Sequence, residues 1–171
     1  MPLAVTHILI PLVLAGIYRD YFAKKKFSIR YVFVAGLAGL FPDLDILVGW
    51  IFNLFSYIPI SDIHRTLTHS LAFPLLFLIL FYLTKNYTSK YFKKQNIKIS
   101  YLFLAISFGS LTHILLDAFL SGPVQILPGF MLGIGMNFSY FQGTFFQGLD
   151  AILLVLWLVH EEYKHHISDY I

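Results

Sequence analysis

Eight residues of this chain are of the types that hold divalent metals: His7, Asp43, Asp45, His64, His69, His113, Asp117 and Asp150. Each lies inside or at the edge of an apolar run. A charged group near hydrocarbon costs about 2.5–3.5 kcal/mol on insertion scales, so such residues usually carry function. Four imidazoles and four carboxylates with Arg65 as the single candidate cation do not make a balanced ion-pair network. A bound divalent cation would neutralise the surplus. Imidazole with carboxylate suits zinc first, and also manganese or iron. Eight potential ligands exceed what one tetrahedral zinc uses, so one or two ions are expected.

Spacing supports parts of this set. His113 and Asp117 are four apart and share one helix face. Asp43 and Asp45 would diverge on a helix. After Pro42 an extended turn would let them converge; otherwise one faces the site and the other caps the following segment. His64 and His69 meet only if His64 precedes the helix that His69 opens. His7 also reads as an interfacial histidine, and Asp150 as an N-cap. Asp62 reads as a solvated loop or cap residue, and His160, His165 and His166 as interfacial.

The elements that must position these residues are apolar. The chain has 171 residues, 58% hydrophobic and 12% charged. A soluble domain carries about 25% charged residues, so lipid must cover part of the surface. The length suits a single domain, residues 1–171. There is no cysteine, which excludes disulfides, thiolate zinc sites and cysteine nucleophiles. Six apolar runs stand out: Leu3–Tyr18, Tyr31–Phe41, Ile46–Ile60, Leu71–Leu83, Tyr101–Leu120 and Leu149–His160. The basic residues follow the first run instead of preceding it, unlike a cleaved secretory signal, so a retained helix is expected. Ser121–Gly148 is rich in glycine and aromatics with two prolines, and predicts an irregular re-entrant or interfacial segment, or a plain outer loop.

Eleven of the twelve basic residues fall in the loop from Arg19 to Arg30, the loop from Lys85 to Lys98, and the tail at Lys164. Loops rich in lysine and arginine stay cytoplasmic. The predicted fold is therefore an all-α, multi-pass membrane bundle. It has about five transmembrane helices, with Ile46–Ile60 as an interfacial or re-entrant helix. The N-terminus is outside and the C-terminus cytoplasmic. On this topology all eight candidate ligands gather near the outer face, although only lysine and arginine set the orientation.

HExxH, GxSxG and phosphate-binding GxxxxGK[ST] patterns are absent. Membrane orientation accounts for the basic residues, so no nucleic-acid partner is expected. Membrane lipids are the expected surroundings.

In order along the chain stand Thr6-His7, then Gly39-Leu40-Phe41-Pro42-Asp43-Leu44-Asp45, His64-Arg65-Thr66-Leu67-Thr68-His69-Ser70, His113-Ile114-Leu115-Leu116-Asp117 and Gly122-Pro123-Val124-Gln125-Ile126-Leu127-Pro128. This series resembles the YdjM-like family of membrane-bound, inner-membrane metal-dependent hydrolases. The family's pattern is an early His, PDxD, HRGxTHS, HxxxD and a glycine-containing loop ending in Pro. Thr66 stands where the family usually has Gly, a change in a loop residue and not in a ligand. The resemblance implies His7, Asp43, Asp45, His64, His69, His113 and Asp117 as metal-site residues. The His/Asp content alone is also similar to that of zinc-dependent phospholipases C.

The expected function is a membrane-embedded metal-dependent hydrolase acting on a lipid-like phosphoester near the outer face. Asp45 or Asp117 would serve as base, and Arg65 would hold a phosphate or carboxylate of the substrate. Two alternatives use the same cluster. A metal-ion or proton transporter should also place ionisable groups toward the inner halves of its helices, which the sequence reads as nearly bare. A non-catalytic scaffold would bind no stoichiometric metal and would tolerate Asp43→Asn combined with His113→Ala.

Overall fold

The computed structural model describes residues 4–57, 59, 64, 68–87, 97–120, 124–127, 130–132 and 144–166. Arg65 and Asp62 lie outside these. The described chain is helical apart from one short hairpin. In order come α1 (Ala4–Ile17), a π-helical turn (Tyr18–Phe22), α2 (Ile29–Ala38), α3 (Leu44–Phe52), α4 (Ala72–Thr84) and α5 (Ile99–Leu120). β1 (Val124–Leu127), β2 (Phe130–Leu132) and α6 (Thr144–His165) follow.

Among the described residues, α5 and α6, with 22 residues each, are the two helices long and apolar enough to cross a membrane. At 1.5 Å per residue each reaches about 33 Å, against about 30 Å of hydrocarbon. α3 has nine residues and reaches only about 14 Å. It cannot span. Its apolar side is open: Leu47, Val48, Trp50, Ile51 and Phe52 are all exposed, while Asp45 and Gly49 are buried.

The bundle packs through small residues. α5 lies against α4 and α2, and α1 against α2, α5 and α6. A Cβ on Gly109 of α5 would run into the Ala35 carbonyl of α2, and one on Gly36 would come 2.9 Å from Leu12 of α1. Lipid tails are as apolar as leucine, so helices gain from close van der Waals approach, and small residues permit it. Leu9, Leu12, Ala15, Tyr31, Val32, Ala35 and Ala105 form the apolar layer so created. Hydroxyls inside it are satisfied by carbonyls: Ser107 donates to Pro74 O across α5 and α4 at 2.8 Å, and Thr112 donates back to Phe108 O at 2.9 Å.

α1 and α6 run parallel, pinned at both ends. Near their starts Thr6 Oγ1 donates to Asp150 Oδ1 at 2.6 Å. Near their finishes His165 Nε2 stands 3.1 Å from Asp20 Oδ2. α6 begins at Thr144, earlier than the Leu149 expected from the apolar run, because Thr144–Gly148 continues the helical face despite its glycine. Asp150 therefore sits in the second turn and is not an N-cap.

Of the glycine-rich segment Ser121–Gly148, the structure describes 124–127, 130–132 and the start of α6, so its reading as a re-entrant or outer loop lies mostly outside the described residues. β1 and β2 pair antiparallel with an irregularity between Gln125 and Leu127. Val124 packs on Ile114 and Ala118 of α5 in a second apolar cluster.

Candidate metal centre

Three stretches meet at the end of the bundle opposite the basic loops, and a glycine sets how closely. Pro11 has no N–H, so the helical bond that would close on the His7 carbonyl is absent. Gly39 packs against that carbonyl oxygen so tightly that a Cβ would overlap it. The Gly39 carbonyl in turn accepts a 2.6 Å hydrogen bond from His113 Nδ1 of α5. A carbonyl only accepts, so Nδ1 carries the proton and the Nε2 lone pair of a neutral His113 faces inward. This is the arrangement by which a backbone carbonyl fixes the tautomer of a metal-binding histidine. The His7 ring stacks on that of His113, centroids 4.0 Å apart.

The two aspartates after Pro42 do not lie in an extended turn. Residues 39–46 follow consecutive i→i+3 turns, including Asp43 N to Leu40 O and Ile46 N to Asp43 O. Asp43 has helical backbone angles and makes no side-chain capping bond. At three residues per turn, Asp43 and Asp45 leave the backbone about 120° apart, and they reach opposite sides of one imidazole. Asp43 Oδ1 is 3.4 Å from His69 Nε2, and Asp45 Oδ2 is 3.4 Å from His69 Nδ1.

Thr68 completes that clamp. Its hydroxyl donates to Asp45 Oδ2 at 2.7 Å and stands 3.3 Å from His69 Nδ1. With its proton committed to Asp45, Thr68 Oγ1 accepts from His69 Nδ1. His69 Nε2 then also presents a lone pair, 3.2 Å from His113 Nε2. Both rings are fully buried. Two inward lone pairs at this separation repel unless a cation lies between them.

The remaining donors converge on the same point. His113 Nε2 is 3.5 Å from Asp43 Oδ1. Asp117 Oδ2 is 3.8 Å from His69 Nε2, and Asp117 Oδ1 is 3.5 Å from His7 Nε2. Ligands at about 2.1 Å on a tetrahedron lie about 3.4 Å apart, so the spacing fits a bound ion. Three overlapping triads have this geometry: His7, His113 and Asp117; Asp43, His69 and His113; Asp45, His64 and His69. In each, one donor atom per residue lies within 4.8 Å of the others. His64 Nδ1 is 3.1 Å from Asp45 Oδ1.

Seven of the eight candidate ligands thus come together. Asp150 belongs to no such triad among the described residues: Oδ1 accepts from Thr6, and its buried Oδ2 has no hydrogen-bond partner. Thr68, Gly39 and Thr6 were not singled out from sequence, although all three lie in the motif blocks. The open side of the cluster is at Asp43, whose side chain is 30% exposed. Asp43 lies between α2 and α3.

The opposite end of the bundle is not bare, contrary to the reading of the inner helix halves. Asp20, His160, Glu161 and His165 meet there, beside Arg19. A cavity of about 740 Å³ also lies at this end, lined by Tyr18, Phe22, Lys24, Lys25, Tyr31 and Tyr101 among others. It borders none of the His7, Asp43, Asp45, His64, His69, His113 and Asp117 group, so it is not the pocket of that cluster.

No curated protein and no solved structure matches the chain significantly. A family model described as YdjM inner membrane protein matches residues 1–166. With nearly the whole chain matched, two helices long and apolar enough to cross a bilayer, and the His/Asp motifs assembled at one end, the chain belongs to the YdjM inner membrane protein family.

Proposed function

We propose that this chain is a membrane-embedded, metal-dependent hydrolase working at the extracytoplasmic face. The observation that supports it most is the buried 3.2 Å approach of the His69 and His113 Nε2 atoms between Asp43 and Asp117. Such a donor set calls for a cation, and zinc suits it best. Five crossings follow from the basic loops: α1, α2, α4, α5 and α6, with α3 lying at the interface and the N-terminus outside. The shorter helices reach across if their polar flanks enter the boundary or the bilayer thins locally.

In this reading His7, Asp43, His69, His113 and Asp117 hold the ion. When bound, the ion supplies Lewis-acid polarisation and a water acidified to a pKa of about 7. Asp45 fixes His69 through Thr68 and orients His64 through Nδ1. His64 is the most exposed imidazole of the group, its side chain 16% open against 0–4% for His7, His69 and His113. It is therefore placed to take the proton of the attacking water, with Asp45 behind it. Arg65, adjacent in sequence, would hold a phosphate of the substrate. The open apolar side of α3 beside Asp45 suits a lipid-like phosphoester.

The test separates holding from reacting. His69→Ala should lose both metal and hydrolysis of a phospholipid or phosphodiester substrate. His64→Ala should keep the metal and lose the hydrolysis. Full metal content in both variants would end the site assignment.

A second reading, metal-ion or proton translocation, gains from the inner cluster, since a transporter needs ionisable groups at both ends. The apolar layer of Leu9, Leu12, Ala15, Val32 and Ala35 separates the two clusters, which favours the enzyme. Ion flux into proteoliposomes without hydrolysis would reverse that preference.

A further inference from the structure

We propose a second metal site at the basic end of the bundle, formed by Asp20, His160 and Glu161. These residues come from the π-helical turn after α1 and from the last turns of α6. About 20 Å of α1 separates Asp20 from His7, so the two sites share no ligand. The inference goes beyond the proposed hydrolase and does not depend on it.

The geometry matches that of the outer cluster. One donor atom each from Asp20, His160 and Glu161 lies within 4.8 Å of the others. His160 Nε2 is 3.6 Å from Asp20 Oδ2, and His160 Nδ1 is 3.6 Å from Glu161 Oε1. His165 Nε2 is 3.1 Å from Asp20 Oδ2 and 3.7 Å from Glu161 Oε2. The 3.6 Å between His160 Nε2 and Asp20 Oδ2 is close to the roughly 3.4 Å edge of a tetrahedral zinc site, and Glu161 reaches the same group within 4.8 Å.

Burial supplies the independent argument. Glu161 is 1% exposed and Asp20's side chain is equally closed. Glu161 Oε2 and His160 Nε2 are buried without a hydrogen-bond partner. A buried polar group without a partner is costly, and a buried charge more so. Arg19 does not remove this cost. Its Nε donates to Phe27 O at 2.7 Å and its Nη1 to Asp20 Oδ1 at 2.7 Å, which balances one carboxylate of two. Arg19 Nη1 also lies 2.8 Å from His165 Nε2, so that nitrogen cannot donate to Asp20 while it accepts from Arg19. Asp20 Oδ2 and both oxygens of Glu161 are thus left facing imidazole nitrogens. A divalent ion of the zinc class, which takes imidazole and carboxylate together, would bind one donor atom each from Asp20, His160 and Glu161 and so offset the buried charge.

The experiment uses the full chain in detergent, purified without a histidine tag, stripped with chelator and titrated with Co2+, whose visible absorption reports the ligand field. The Asp43→Asn/His113→Ala variant disables the outer cluster. It should still take about one Co2+ per chain, and adding Glu161→Gln or His160→Asn should weaken that binding at least about tenfold. No Co2+ uptake by the outer-site variant, or unchanged uptake after Glu161→Gln, overturns the inner site; a protonated histidine would then be the counter-charge. If the outer-site variant does not fold, Glu161→Gln alone should lower the Zn2+ content of the otherwise unaltered protein by one ion, and no drop refutes the proposal. If Asp43→Asn/His113→Ala changes nothing while Glu161→Gln removes the ion, the inner site stands and the outer one falls.

Discussion

The two ends of the bundle hold clusters of the same residue types built in different ways. At the end that gathers the motif residues, backbone and hydroxyl groups orient the imidazoles: Gly39 O fixes His113, and Thr68 with Asp45 fixes His69. At the basic end, among the described residues, His160 Nε2 has no hydrogen-bond partner, and Arg19 competes with Asp20 for one nitrogen of His165. Rigid second partners turn a group of ligands into a preorganised centre. Their scarcity at the inner end suits a site that holds an ion and does not act on a substrate.

The strongest way to break this comparison is at the glycines. Gly39→Ala must push the His7 backbone away, and overpacking costs about 1–3 kcal/mol, with the upper end expected where the obstacle is backbone. A large fall in the thermal unfolding midpoint in detergent is expected, and an unchanged midpoint would show that the three-helix junction is looser than described. Next comes His69→Ala, which removes a ligand shared by two triads. Hydrolysis and outer-site metal should fall by more than about 100-fold, beyond the loss expected from a mere supporting residue. Asp45→Asn keeps the shape but weakens the orientation of His69 and His64. It should lower metal affinity by about 10–100-fold, as measured by chelator competition. Thr68→Val removes a single donor to a carboxylate and should cost about 1.5–3 kcal/mol in stability. Gly16→Ala is the mildest. A Cβ there would sit 3.8 Å from Glu161 Oε1, an ordinary contact, so the gain in helix propensity should raise stability by about 0.5–1 kcal/mol. A Gly16→Ala loss as large as that of Gly39→Ala would erase the distinction between the two ends.

Local rules and long-range packing divide this protein cleanly. Scarce charge, long apolar runs and lysine-rich loops are properties of the sequence itself, and they determine a helical membrane protein with the His/Asp residues of its motif blocks at one end. The i, i+4 pair His113 and Asp117 was legible for the same reason, since helical period needs no tertiary information. The twist between Asp43 and Asp45 was not, because the run of i→i+3 turns after Gly39 depends on how α2 meets α1 and α5. Thr6 with Asp150, Arg19 with His165, and Asp20 with Glu161 are pairings between the first and last helices. No local periodicity encodes which apolar faces of two distant helices will touch. Only the tertiary structure, through the close crossings that Gly36, Gly39 and Gly109 permit, decided that the end of α6 buries Glu161 beside Asp20 and that one imidazole, His69, stands between two aspartates.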